Sequence, residues 1–161
     1  MSGVVIDFSD RLILSNRFEW DPFHFNGYSV FRDVDVEQHR FFTRATDWRK
    51  RAMKKLGVRT APFPELSLID WPSCIASISG KFPLLSVHIE YKDPDVCYIG
   101  FPLKMTSKEL ILDDLDSNCE WDKPRRIKLN DVTRIDFDGG YERALAETAS
   151  KRTRNFGTKA R

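Results

Sequence analysis

Three histidines, three cysteines and twenty-four carboxylates are the side chains here that could make bonds or hold metals. Nucleophilic catalysis needs a Ser or Cys beside a base that a third group orients. His24, His39 and His88 lie far apart, and no local feature sets any of them beside a nucleophile. Such a group could assemble only through the fold. Cys74, Cys97 and Cys119 form no CxxC and no Cys/His pair at zinc spacing. Their odd number fits reduced, structural thiols. Asp114, Asp116, Asn118, Glu120 and Asp122 follow the alternate-residue spacing of an EF-hand loop. However, Cys119 stands where that loop needs glycine, and Arg125 stands where it needs the closing glutamate. A solvated hairpin loop is expected instead. Gly139-Gly140 ahead of a helix could offer N–H groups to a phosphate. Asp136 and Asp138 precede it, so a turn requiring positive φ is the expectation. No catalytic residue, metal or cofactor is therefore expected.

Charge and aromatic groups point to recognition instead. Arg40 to Arg59 carries eight basic residues against Asp47 alone. Glu90 to Asp122 carries nine acids against Lys92, Lys104 and Lys108. The tail Ser150 to Arg161 has five basic residues and no acid, so a net charge of +2 leaves the body at about −3. Faces of opposite sign steer a partner without naming it. Asp113, Asp114, Asp116, Glu120 and Asp122 mark an acidic contact surface, and Trp20 and Phe23 to Phe25 form an aromatic cluster that is either core or an exposed anchor for a protein partner. Lys50, Arg51, Lys54, Lys55, Lys151, Arg152 and Arg154 could meet phosphates.

The elements that position these groups are mostly strands. Alternation and β-branched or aromatic residues predict strands over Gly3 to Phe8, Arg11 to Leu14, Gly27 to Arg32 and Val34 to Phe42. Trp48, Ala52 and Leu56 then recur at helical spacing among basic residues, with Thr43 or Thr46 as cap and Gly57 as stop. That spacing predicts a buried face carrying Trp48. Ala61-Pro62-Phe63-Pro64 reads as a linker. Asp70-Trp71-Pro72 reads as a cap and first turn of a helix that stops at Gly80. Strands follow over Leu84 to Tyr91, Asp95 to Met105, Glu109 to Leu115, Arg126 to Leu129 and Val132 to Phe137. Within the first of these, Ser86, His88 and Glu90 share the face opposite Leu85, Val87, Ile89 and Tyr91. A terminal helix carries Tyr141, Ala144, Leu145 and Thr148, and the basic tail is expected to be disordered.

The two ends of the chain look alike. Leu12-Ile13-Leu14 returns as Leu110-Ile111-Leu112, and Asp33-Val34 as Asp131-Val132, both 98 residues on, with Phe23 facing Trp121 at that offset. Each half then enters a helix with an aromatic residue and an Arg-Ala pair, Arg51-Ala52 and Arg143-Ala144. Asp70 to Phe137, with its helix, five short strands and tight Asn130-Asp131 reversal, resembles the Sm-like fold, a bent SH3-like barrel. The chain is similar to small bacterial proteins built from paired Sm-like units, each followed by a helix. Members that bind RNA carry an Arg/Lys-Gly pair in that reversal, which Asn130-Asp131 lacks.

The expected fold is thus mainly β with helices (α+β): duplicated, strongly bent antiparallel barrels. Residues 1–57 form a partial unit with its helix, 58–69 a linker, 70–150 the complete unit with the terminal helix, and 151–161 a basic tail. No signal peptide is expected, since residues 1–7 lack a basic n-region and an apolar h-region. No apolar run approaches the ~18 residues of a membrane span. These features favour a cytoplasmic, non-enzymatic module, monomeric or homodimeric, that binds a protein. An immunity or antitoxin-type role at the acidic loop is its specific form. The competing expectation is RNA or single-stranded DNA binding through the barrel and basic helix.

Overall fold

The computed structural model describes residues 2–36, 48–150 and 157–158. It is mostly β, with three helices. The strands are β1 (Gly3–Phe8), β2 (Leu12–Trp20), β3 (Phe23–Arg32), β4 (Leu85–Ile89), β5 (Asp93–Met105), β6 (Glu109–Asp114), β7 (Arg125–Lys128) and β8 (Arg134–Phe137). The helices are α1 (Trp48–Leu56), α2 (Trp71–Ser79) and α3 (Gly140–Thr148). The eight strands make one sheet in the order β1-β2-β3-β8-β4-β5-β6-β7, and every pairing on that path is antiparallel. The two-residue β9 (Gly157–Thr158) adds a parallel pairing at Lys104 and Met105 of β5.

Side-chain alternation along each strand builds one core from both ends of the chain. Leu12, Leu14, Tyr28 and Val30 pack with Leu85, Val87, Leu110, Leu112, Ile135 and Phe137. Helix α2 closes this face with Trp71, Cys74, Ile75 and Ile78. It starts as its sequence dictates. Asp70 Oδ1 accepts from Ser73 N at 2.8 Å, and Pro72 occupies the first turn, where no N–H is needed. Gly100, between β4 and β6, has no room for a side chain, because a Cβ there would lie 2.0 Å from Asp113 O. On the opposite sheet face, Leu145 of α3 packs with Leu84, Ile99 and Leu115 in a second cluster.

The stretch read as a linker is a packed strap. Leu66 and Leu68 are buried in the shared core. Asn16 Oδ1 accepts from Ala61 N at 3.0 Å, and Tyr28 OH donates to Pro62 O at 2.5 Å. Lys81 Nζ donates to Pro64 O and Glu65 O, and Ser9 Oγ to Leu68 O at 2.7 Å. The expected strand from Val34 also gives way. Asp33–Asp35 is a 3₁₀ turn, and residues 37–42 lie outside the described residues, as do the expected caps Thr43 and Thr46.

Two turns share one hydrogen-bond pattern. Ser9 N donates to Leu12 O while Ser9 Oγ accepts from Arg11 N and Leu12 N. Thr106 does the same with Glu109 O and the N–H groups of Lys108 and Glu109. Each hairpin then ends in a 3₁₀ turn, whose first N–H, on Asp33 or Leu129, reaches back to Arg11 O or Lys108 O. These equivalences run at 97 and 96 residues, whereas the core leucines recur at 98. A one-residue slip reverses the face of a strand. The turns and the core leucines therefore keep different offsets.

Replacing Leu66 or Leu68 by Ala should cost about 2–4 kcal/mol, because each leaves a cavity in the shared core. Denaturant unfolding measures it. A loss within about 0.5 kcal/mol, the level of surface substitutions, would show a strap that only connects.

Candidate functional site

The half of the sheet that faces away from the main core carries a polar cluster. Register lines up Ser15 (β2), Ser29 (β3), Asp136 (β8), Ser86 (β4) and Ile99 (β5) across five strands. The neighbouring row is Ile13, Phe31, Arg134, His88 and Cys97. Asp136 is the centre. Its Oδ1 accepts from Ser29 Oγ at 2.5 Å, and its Oδ2 takes Arg17 Nη1 at 3.0 Å and His88 Nε2 at 3.1 Å. Arg134 Nε lies 3.3 Å from the same oxygen, and Arg134 Nη1 reaches Glu90 at 2.7 Å. Helix α3 lays Glu142 over the group. Its Oε1 accepts from Ser86 Oγ at 2.6 Å, and its Oε2 lies 3.7 Å from Arg17 Nη2.

Gly139 permits this approach. A Cβ there would sit 2.3 Å from Arg17 Nη2 and 2.4 Å from Glu142 Oε2. Its φ of −78° is ordinary, and the positive φ expected at Gly139-Gly140 falls on Asp138 instead, at 56°. The glycine is needed for room, and no anion is required to explain it. Gly140 N is taken by Asn26 Oδ1 at 2.6 Å.

Electrostatics fix the protonation of the centre. Burial alone raises the Asp136 carboxyl. The His88 hydrogen bond, the Arg134 charge, the Ser29 hydroxyl and the Arg17 charge together outweigh it, holding the group below the ordinary carboxylate range. With Nε2–H given to Asp136, His88 Nδ1 lies 3.1 Å from Arg134 Nη2 and accepts from it. Both imidazole nitrogens are thus engaged within the cluster.

Cys97 stands directly opposite His88 on β5, which suggests a Cys-His-Asp group. The chemistry runs the other way. Partial burial, then the Asp136 and Glu142 charges, raise the thiol; Arg134 and a backbone hydrogen bond only oppose this. A nucleophilic cysteine needs the reverse. Ser29 and Ser86 are buried, and their hydroxyls donate to Asp136 and Glu142. The cluster's hydrogen bonds join β2, β3, β4, β8 and α3, while Ser15 Oγ, Arg134 Nε and Glu142 Oε2 are buried without a hydrogen-bond partner among the described residues. The cluster ties these elements together.

The acidic surface divides. Asp113 and Asp114 are buried in β6, where Asp114 Oδ2 pairs with Arg125 Nε at 2.6 Å. Asp116, Glu120 and Asp122 face solvent. Asp116 Oδ1 already accepts from Asn118 N at 2.9 Å and Glu120 N at 2.8 Å, so the loop is an Asx turn with Cys119 at φ 61°. Among the described residues, no three His, Cys, Asp or Glu side chains are placed to hold a metal. Among them too, no helix is long and apolar enough to cross a membrane.

At the far end of the β2–β3 hairpin, Phe18 anchors an aromatic group. Its ring meets Trp20, Phe23 and Phe25 edge-on at 4.9, 4.8 and 5.1 Å. Phe23 is half-buried, while Trp20 is 43% exposed. Trp48 was expected on a buried helix face, yet it is 56% exposed, 6.0 Å from Trp20. Leu56 is exposed too. Periodicity makes α1 amphipathic, and its apolar stripe meets β2 at Trp48 while Leu56 stays exposed. Lys50, Arg51, Lys54 and Lys55 are exposed, whereas Lys151, Arg152, Arg154 and His39 lie outside the described residues. His24 Nδ1 lies 2.8 Å from Pro22 O and joins no site.

Comparisons with protein families, with curated proteins and with solved structures find no match for this chain.

Asp136→Asn should lower stability at neutral pH by about 3 kcal/mol, since it leaves Arg17 and Arg134 facing a neutral amide in a buried site. Because the folded carboxyl is depressed, its contribution is complete above the unfolded value near ~4 and fades as pH falls through the folded one. The acid limb of the stability curve should therefore flatten in the variant, as chemical denaturation from pH 7 to pH 2 can read. At neutral pH, Cys97 should alkylate no faster than a free cysteine, and His88→Ala should not slow it. Rapid labelling that depends on His88 would restore the catalytic reading.

Proposed function

We propose that this chain is a non-catalytic protein-interaction module whose contact surface is the end of the sheet bearing Phe8, Val34, Ile69 and Tyr91. One observation carries the reading: these four large apolar side chains are each 71–82% exposed and belong to segments bonded to one another. Ser9, next to Phe8, holds Leu68 O at 2.7 Å. Asp33 N donates to Arg11 O at 3.0 Å. Tyr91 OH donates to Asp35 Oδ1 at 3.3 Å, with the Arg32 guanidinium 5.8 Å from the Tyr91 ring centre. Arg32 is itself held by Asp35 at 2.6 Å, and Lys92 by Asp131 at 2.7 Å. An apolar centre with a paired, charged rim is the composition of a protein contact. Tyr and Arg are the residues that anchor one.

The immunity or antitoxin-type form places the contact on the acidic loop. Burial of Asp113 and Asp114 removes two of its five charges, and Asp116 is engaged in the turn, so the apolar end is the stronger surface. We also read the second half as a small bent barrel and the first as its partial copy. The order β8-β4-β5-β6-β7 folds the last strand back onto the first of that half. The matching Ser9 and Thr106 turns and paired 3₁₀ turns support a common origin.

A photo-crosslinker at Val34 should trap a discrete protein in native lysate, and Phe8→Ser with Tyr91→Ser should abolish that product. Both side chains are exposed, so the unfolding midpoint should barely move. An unchanged product in the double variant, or the same product from a crosslinker at Glu147 on α3, would refute this surface.

A further inference from the structure

The aromatic and basic end of the molecule is separate from that contact surface and has its own chemistry. Phe18 is buried, and Trp20 and Trp48 stand outside it with ring centres 6.0 Å apart and planes inclined by 45°. Trp20 Nε1 donates to Ser2 Oγ at 2.9 Å, which fixes the indole by its edge. Helix α1 (Trp48-Arg49-Lys50-Arg51-Ala52-Met53-Lys54-Lys55-Leu56) contains no acid. In helical projection Arg51 and Lys55 border the stripe of Trp48, Ala52 and Leu56, and Lys50 and Lys54 lie on the far flank. Each pair is spaced i, i+4, so its members are about 6 Å apart. Among the described residues of the adjoining hairpin, Glu19 Oε1 accepts from Asn26 Nδ2 at 2.5 Å and Asp21 is exposed.

Two partly open indoles beside an all-basic helix combine the two elements of single-strand binding, stacking platforms and a track for phosphates. An acidic protein would satisfy the cations, but it has no general use for two adjacent π-faces. A duplex would meet the charges but keeps its bases stacked within. We propose that Trp20 and Trp48, with Lys50, Arg51, Lys54 and Lys55, form a site for single-stranded nucleic acid. Bases stack on the indoles, and the backbone follows the exposed cations of α1.

The test uses the full chain. Binding of fluorescent oligo-dT and oligo-U is measured by anisotropy across a salt series, against a hairpin duplex and polyglutamate. Single strands should bind more tightly than the duplex, quench tryptophan emission, and weaken steeply as salt rises. Trp48→Ala and Trp20→Ala should each weaken binding about ten- to hundredfold, whereas Trp48→Phe and Trp20→Phe should retain most of it. Changing Lys50, Arg51, Lys54 and Lys55 together to Gln should reduce the salt slope by roughly 3, near 0.7 per phosphate contact on a single strand. Unchanged thermal midpoints show that the variants fold. Any of four results overturns the site: no binding at low salt, equal affinity for polyglutamate, equal affinity for duplex, or binding that survives both the Trp→Ala and the Gln changes. Loss of this binding leaves the Val34 crosslink unaffected, so the two surfaces are tested independently.

Discussion

The fold depends on one buried negative charge. Asp136 lies on β8, the strand that seams the N-terminal hairpin to the rest of the sheet. A carboxylate there is tolerable only if paired and hydrogen-bonded, since an isolated buried charge costs far more than any single contact returns. Its partners come from β2, β3, β4 and its own strand, and the salt bridge to Arg17 spans 119 residues of chain. Only the observed register brings them together. A slip of one residue on β8 would turn Asp136 into the core and Ile135 and Phe137 out of it. The carboxylate therefore specifies β3–β8 pairing as much as it stabilises it, and Glu142 extends the same specification to α3.

The apolar side of the sheet enforces the same arrangement by different means. Leu12, Leu14 and Val30 have no core of their own, and they are buried because β4, β6 and β8 supply the opposing surface. The strap with Leu66 and Leu68 crosses this junction and bonds to β2, β3 and the end of α2. Cys74 shows how dry the interior is. Burial, with the Asp70 charge, pushes its thiol up to about 12. Both ends of the chain thus share one core.

Local signals are legible in the sequence and long-range ones are not, for physical reasons. The Asp70-Trp71-Pro72 start of α2 is chemistry within one turn, and it stands as expected. Alternation in β4 puts Ser86 and His88 on one face, which is part of the polar cluster. The rest, Arg17, Ser29, Arg134, Asp136 and Glu142, arrives through pairings and packing that no local pattern encodes. Asp113 and Asp114 looked like surface charges because runs of acids usually are. Their burial in β6, against Arg125 across the loop, became visible only with the hairpin. Trp48 errs in the opposite direction. Helical spacing establishes that α1 has an apolar stripe but carries no information on whether anything covers it.

Placing the reactive side chains inside the structural cluster has a functional consequence. His88, Ser29 and Ser86 are bound up in holding the sheet, and freeing any of them for chemistry would unpair a buried carboxylate or guanidinium. The exterior differs from end to end. Beyond one end of the sheet stand Val34 and Tyr91 within a paired ionic rim; at the other, indoles stand beside the exposed cations of α1. Exposed side chains of this kind contribute little to stability, so the two ends of the sheet can differ in composition without cost to the shared core.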